Sequence, residues 1–245
     1  MSTQITLHHL NASRSDRIFW VLEELGLPYN VRVHFRTPSR SAPKSLLDIS
    51  PTGKAPTIEL NGKVITESSF IIWKLLHLSE IQSNSFKKID VQIEQTEDDV
   101  FWGHYSEGSM MNLFQASAII QATTQAWNNG MIIKEIDENS KKAVGDYSGF
   151  VTGKYLGPQM QGTIDFAENF INKSAHGWFS GTDKPGEGDF MMFFAINSLL
   201  SGTRAGLFNV GDGLKGWHKR VLSRPAAQRA QQRLKDEEEK AKAKI

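Results

Sequence analysis

Three short polar runs carry the residue types from which a site for a small charged molecule could be built. The first is Asn11-Ala12-Ser13-Arg14-Ser15-Asp16-Arg17, between an opening strand and a helix. In open α/β sheets ligands sit beyond the carboxyl ends of strands. Ser13 falls there, at a helix N-terminus, although Ser13, Ser15 or Asp16 could equally be a plain cap. The second run is Ser50-Pro51-Thr52-Gly53-Lys54-Ala55-Pro56-Thr57. Pro56 directly precedes a strand, where it removes a ladder donor. It is either an ordinary loop proline or part of a cis Ala55–Pro56 bend, which frees the Ala55 N–H and C=O for an extended ligand. The third run is Thr66-Glu67-Ser68-Ser69, ahead of an apolar helix. Glu67 and Ser68 occupy cap positions, where unpaired N–H groups and the positive helix end suit a carboxylate. Glu67 could meanwhile hold an ammonium, so a ligand with both an α-amino and an α-carboxyl group fits the pair.

The elements that must position these runs follow from periodicity. Gln4 to His9 reads as a strand and Ile18 to Leu25 as a helix, with apolar residues at 18, 21, 22 and 25 and Gly26 as its stop. Tyr29 to Phe35 alternates as a half-buried strand, and Pro43 to Ile49 suits a short helix. Thr57–Leu60 and Lys63–Thr66 are strands joined by Asn61-Gly62, a strong hairpin signal. Ser68 to Leu78 closes the unit as an apolar helix. Strand, helix, strand, helix, hairpin, helix implies a layered α/β domain with a mixed sheet over residues 1–80. Residues 81–88 read as a polar linker. Residues 89–245 show only helical patterns: Val91–Gln121, Met131–Tyr155, Pro158 to about Asn172, Phe190–Leu200, Gly213–Leu222 and Pro225–Leu234. The charged run Lys235 to Ala241 is expected to be solvated or frayed.

Composition narrows the function classes. The 245 residues are 39% hydrophobic and 22% charged, which is ordinary globular usage. With 28 basic and 27 acidic residues the net charge is +1, so no electrostatic case for nucleic acid exists. There is no cysteine, hence no thiolate metal site and no cysteine nucleophile. No apolar run reaches the length of about 18 residues that spans a bilayer, and the first residues lack a signal-peptide layout. The expected location is cytoplasmic. His8 and His9 are neighbours in a strand and face opposite sides, and no histidine pair has i, i+4 spacing, so no metal is expected. Arg36 and Arg40 read as surface residues. Phe101, Trp102, Tyr105, Met110, Met111 and Phe114 read mainly as core.

At its three polar runs the chain resembles the cytosolic glutathione transferases. Ser13 matches the serine of the first strand-to-helix turn, with Arg17 four residues on. Gly53-Lys54-Ala55-Pro56 resembles the cis-proline turn, and Glu67-Ser68 the Glu-Ser pair. Gly26-Leu27-Pro28-Tyr29 also fits. Tyr105-Ser106-Glu107-Gly108-Ser109 is similar to the fourth helix of a fungal branch that includes a yeast transferase associated with the endoplasmic reticulum. The likeness runs to about Leu222. It departs from the family at Gly186-Glu187-Gly188-Asp189, where many members carry a hydroxyl cap. Asp189 keeps the capping-box acid.

The resemblance implies a thioredoxin-like domain followed by a helical bundle, and a glutathione transferase of the non-cysteine type. Glutathione would be co-substrate, held by Lys54, Ala55, Pro56, Glu67, Ser68 and Arg40. Its thiolate would form at Ser13 or Asn11 with help from Arg17. Hydrophobic electrophiles would occupy a pocket lined by Tyr105, Met110 and Phe114, and glutathione-dependent peroxide reduction is a further implied activity. A homodimer is implied, with Trp73, Phe101 and Trp102 at its interface, and peripheral association with the endoplasmic reticulum is the alternative location. The same fold also serves non-catalytic scaffolds and ligandin-like carriers.

Overall fold

The computed structural model describes residues 3–38, 40–50, 52–78, 81, 89–132 and 134–244. Its amino-terminal part is a four-stranded mixed sheet in the order β2-β1-β3-β4. Strand β1 (Ile5–Leu10) runs parallel to β2 (Asn30–His34), with Leu7 opposite Val31. It runs antiparallel to β3 (Thr57–Leu60), which pairs with β4 (Lys63–Thr66). Helix α1 (Asp16–Leu25) makes the β1–β2 crossover and ends at Gly26, whose φ of 63° is the left-handed cap that favours glycine. Asn61 and Gly62 sit at φ 50° and 79°, as a tight hairpin between twisted strands requires. Helices α2 (Lys44–Leu47) and α3 (Ser68–Leu76) complete a thioredoxin-like unit.

All described elements beyond α3 are helical. They are α4 (Glu97–Tyr105), α5 (Asn112–Asn128), α6 (Glu138–Gly149), α7 (Gly157–Lys173), α8 (Glu187–Leu200), α9 (Asp212–Ser223) and α10 (Pro225–Lys242). Two π-helical stretches, Ser106–Met111 and Phe150–Leu156, join α4 to α5 and α6 to α7. The helix expected from Val91 starts at Glu97, because the Thr96–Asp99 capping box fixes its origin. The one expected from Met131 starts at Glu138, where the Asp137 carboxylate accepts the Ser140 N–H at 2.8 Å. The linker expected over 81–88 lies outside the described residues except for Ile81, which is buried.

The departure at Gly186 has a structural reason. Gly188 N–H, one of the donors a hydroxyl cap would satisfy, is taken at 2.8 Å by Asp99 Oδ1 from α4. A Cβ at Gly186 would collide with that carboxylate. Asp189 caps from the other side, accepting the N–H groups of Gly186, Phe179 and Ser180 and the Trp217 indole.

The expectation for the charged tail is corrected. Residues 235–242 are helical and continue α10, which lies along α1. Ala226, Ala227 and Ala230 bury the contact face. Arg224 pairs with Glu24 and Asp90, Arg229 with Glu23, and Arg233 stacks 5.0 Å over Tyr29. Within the run itself, Glu238 reaches His9 229 positions away, while Glu237 pairs locally with Arg233 and Lys240.

Candidate functional site

Strand register brings the three polar runs to one end of the sheet. Thr57, the first residue of β3, pairs with His8 near the carboxyl end of β1 and with Thr66 at the carboxyl end of β4. Asn11–Ser13 therefore lies on one side of Ala55–Pro56 and Glu67–Ser68 on the other. The Ala55–Pro56 bond is cis. Ala55 is half-buried, and its N–H and C=O have no partner among the described residues. Lys54 is exposed, and its C=O accepts the Thr57 hydroxyl at 2.9 Å. Pro51 lies outside the described residues.

Glu67 stands at φ 70°, a conformation that costs a non-glycine residue roughly 1–3 kcal/mol. Its exposed carboxylate makes no cap bond to α3, so the expected alternative of a plain Glu67 cap does not hold. Ser68 is buried beneath it, with its hydroxyl 3.3 Å from Arg17 Nη1. The arrangement offers a carboxylate, a hydroxyl and the free N–H groups of a helix start on one face.

Arg17 is fully buried, and its guanidinium is already engaged. Nη1 forms an ion pair with Glu107, and Nη2 donates to Ser106 Oγ at 2.9 Å. The π-helical stretch after α4 supplies both partners, so this contact joins the two halves of the molecule. Arg14 Nε lies 3.2 Å from the other Glu107 oxygen. Arg17 thus supports Ser68 from below, and Glu107 balances its charge.

At the β1–α1 turn Ser13 is buried and its Oγ lies 2.6 Å from Ser15 Oγ. Ser15 does not cap α1 with its side chain, contrary to one sequence expectation. Its hydroxyl instead lies 2.7 Å from His9 Nδ1, and His9 Nε2 lies 3.0 Å from Glu238 Oε1 of α10. The His9 bond holds the Glu238 carboxyl below its usual range. Burial pushes neighbouring Asp16 up to about 6, with His9 opposing the shift and Glu238 adding to it. Asn11 Oδ1 accepts the Arg36 N–H at 2.8 Å, which leaves the Asn11 amide NH2 as the outward-facing group. Arg36, expected at the surface, is half-buried and brackets the turn through the Asn11 and Ala12 carbonyls.

The expected pocket of Tyr105, Met110 and Phe114 is corrected. Met110 and Phe114 are wholly buried, and Tyr105 packs among Phe101, Trp102 and Phe166 while donating to the Thr163 C=O at 3.2 Å. A cleft of about 360 Å³ lies away from these residues. It opens between the loop carrying Arg40, the helices carrying Ser117, Gln121 and Met160, and the turn after α8 that carries Arg204 and Phe208. Phe114 supports this cleft from behind, stacked on Phe208 and covered by Arg204. Trp102 is likewise core and not surface, whereas Trp73 and Phe101 are exposed.

Sequence reasoning set His8 and His9 aside. The structure puts both into buried polar chains on opposite faces of β1. His8 bridges Glu59 and His34, which in turn meets Ser45. His9 bridges Ser15 and Glu238. No local signal marked Glu238, which stands 229 positions from its partner.

Comparison with known proteins bears on the fold and on the family the chain resembles. The family model described as glutathione S-transferase, N-terminal domain, matches residues 13–78. Glutathione S-transferase 3 of Schizosaccharomyces pombe is 29% identical over 95% of this chain and 88% of its own length. Glutathione S-transferase 1 of Saccharomyces cerevisiae is 25% identical over 73% of this chain and 76% of its own. Among solved structures, a glutathione transferase homolog from Sulfitobacter with bound glutathione superposes with a TM-score of 0.64 at 13% identity. It covers 94% of this chain and 98% of that one.

Proposed function

We propose, from its likeness to the glutathione S-transferases, that the chain is a member of that superfamily, binds glutathione at the carboxyl end of the sheet and activates its thiol. The observation that carries this reading is the convergence of Ser13, Ala55–Pro56 and Glu67–Ser68 through the shared register of Thr57. The γ-glutamyl carboxylate meets the Ser68 hydroxyl and the first N–H groups of α3, and its ammonium meets Glu67. The cysteinyl backbone pairs with Ala55. The glycine carboxylate approaches Lys54, with Arg40 at longer range.

This pose sets the sulfur beside Ser13 at the N-terminus of α1. A cysteine thiol titrates near pH 8.5, so lowering that by about two units amounts to about 2.7 kcal/mol of thiolate stabilisation. A hydroxyl hydrogen bond to the charged form supplies about 1.5–3 kcal/mol, and the helix dipole adds up to about 1 kcal/mol. Asn11 offers its amide two residues earlier. Arg17 acts by holding Ser68, because Glu107 already balances its charge. The thiolate then attacks a hydrophobic electrophile held in the cleft beside Arg40, Gln121 and Phe208, and the leaving group departs with the bonding pair. With no cysteine in the chain, hydroperoxide reduction uses the glutathione thiolate as well.

The assembly we infer is a homodimer. Phe70 and Trp73 stack 5.9 Å apart on α3, and Val100 and Phe101 are exposed on α4. Sedimentation at micromolar concentration checks this, and a monomer mass refutes it.

The functional test is conjugation of glutathione to an aryl halide, with retention on immobilised glutathione as a second readout. Turnover with retention supports the transferase reading. Retention without turnover makes the protein a carrier, and loss of both makes it a scaffold.

A further inference from the structure

Ser13 is the outer end of a continuous buried hydrogen-bonded chain. From the site inward, Ser13 Oγ lies 2.6 Å from Ser15 Oγ, which lies 2.7 Å from His9 Nδ1. His9 Nε2 lies 3.0 Å from Glu238 Oε1. Ser13, Ser15 and His9 are all at least 95% buried, so bulk water does not compete for these bonds. The chain links β1, the β1–α1 turn and the distant α10, and every link is at hydrogen-bond length.

We propose that this chain is a proton relay, in which His9, paired with Glu238, takes the proton of the glutathione thiol through Ser15 and Ser13. The inference rests on the glutathione reading given above. Its direction follows from donor and acceptor bookkeeping. Glu238 is ionised and only accepts, so neutral His9 carries its proton on Nε2 and presents the Nδ1 lone pair to Ser15. Ser15 O–H therefore donates to Nδ1, and Ser13 O–H donates to Ser15 Oγ. Ser13 Oγ also accepts the Ser15 N–H at 3.3 Å, and its remaining lone pair receives the thiol S–H.

In the transfer the S–H bond breaks and its proton bonds to Ser13 Oγ. The former Ser13 proton passes to Ser15 Oγ, and the former Ser15 proton to His9 Nδ1. No electrons leave or enter the chain; the bonds from the thiol to Ser13, Ser15 and His9 Nδ1 reverse, while His9 Nε2–H still donates to Glu238. The result is a thiolate facing a Ser13 hydroxyl that now donates to it, and an imidazolium held against Glu238. After halide displacement and product release the proton returns through Ser15 and Ser13 to water in the site, which restores the starting hydrogen bonds. The charged and polar groups facing His9 are Glu238 with Lys242 behind it on α10, Asp16 and Ser15 on α1, and His34 on β2. The Phe19 ring closes the remaining side at 5.3 Å. His9 is a positioning and proton-storing residue that acts through Ser13, and Glu238 explains why the C-terminal helix must dock on the first domain.

The test measures, for the full chain near pH 7, the thiolate formed on glutathione binding by its ultraviolet absorbance. Calorimetry in buffers of different ionisation enthalpy gives the protons released in the same complex. The relay predicts a thiolate whose proton is largely retained, so that release falls well below one per thiolate. In His9→Asn the conjugation rate at neutral pH should drop about 10-fold, with the pH–rate midpoint moved upward. The double variant Ser13→Ala with His9→Asn should lose no more than the weaker single variant, because residues acting as a unit are not additive. Glu238→Gln keeps the hydrogen bond on a partly exposed side chain and should shift the midpoint in the same direction, which keeps the test open if His9→Asn folds poorly. One proton released per thiolate, with unchanged profiles in His9→Asn or Glu238→Gln, overturns the relay alone. Absence of any thiolate in the parent overturns both the relay and the glutathione reading.

Discussion

Removing Glu107 strips a buried cation of its counter-ion at the junction of the two halves. Arg17 is wholly buried and its Nε has no partner, so Glu107→Ala leaves the guanidinium with only the Ser68 and Ser106 hydroxyls. Breaking a buried ion pair from one side costs about 3–5 kcal/mol. The Glu107 side chain is 35% exposed, so entering water lowers the expected loss to about 3 kcal/mol. For a chain of this size each kcal/mol moves Tm by about 2–4 °C, which gives a drop of about 6–12 °C. The assay is thermal unfolding of the parent, of Glu107→Ala, and of the pair Arg17→Met with Glu107→Leu. The pair removes both charges and should recover most of the loss, since apolar replacement of a buried ion pair is often neutral. A Glu107→Ala Tm within about 2 °C of the parent would refute the reasoning, as would a double variant no more stable than the single one.

Burial, reinforced by His8, His9 and Arg32, depresses His34 to about 4 from 6.5, so the unfolded chain binds more protons between these values. Stability should fall as pH drops from about 6.5 to about 4, by about 3 kcal/mol, and denaturant titrations of His34→Gln should show a flatter profile. Gly53→Ala places a side chain at φ 62°, 2.9 Å from Ala42 Cβ and Leu47 Cδ2. It should cost about 2 kcal/mol in urea unfolding and weaken glutathione binding by shifting Lys54 and Ala55. Glu67→Gly relieves the φ of 70° and should raise stability by about 1 kcal/mol while weakening glutathione binding at least 10-fold by calorimetry. Stabilisation with unchanged affinity would remove Glu67 from the site.

The amino-terminal unit was legible because its signals are local. Asn61-Gly62, Gly26 and the alternation of Thr57 to Thr66 each act within a few residues of the turn or strand they specify. The Glu67–Ser68 pair and the cis Ala55–Pro56 bend were legible as motifs, whose convergence needed only the strand register. The cleft was not, because it gathers Arg40 with residues from Ser117 to Phe208 that no local sequence pattern joins. The resemblance implies Tyr105, Met110 and Phe114 as pocket residues, but Met110 and Phe114 are wholly buried and Tyr105 is partly buried among Phe101, Trp102 and Phe166. Trp102 and Phe101 are adjacent, and only packing shows which of them is inside. The α10 tail and the His9–Glu238 contact depend on partners more than 200 residues apart. A charge run with distant partners looks the same in sequence as a solvated one.

The most direct measurement is the ultraviolet pH titration of the thiol in the glutathione complex, for the parent and for Ser13→Ala. The account predicts a parent midpoint about one to two units below the free value near 8.5, and an upward shift of about one to two units in Ser13→Ala with affinity little changed. A bound thiol that titrates at the free value in the parent, or a Ser13→Ala complex with the parental midpoint, would contradict it.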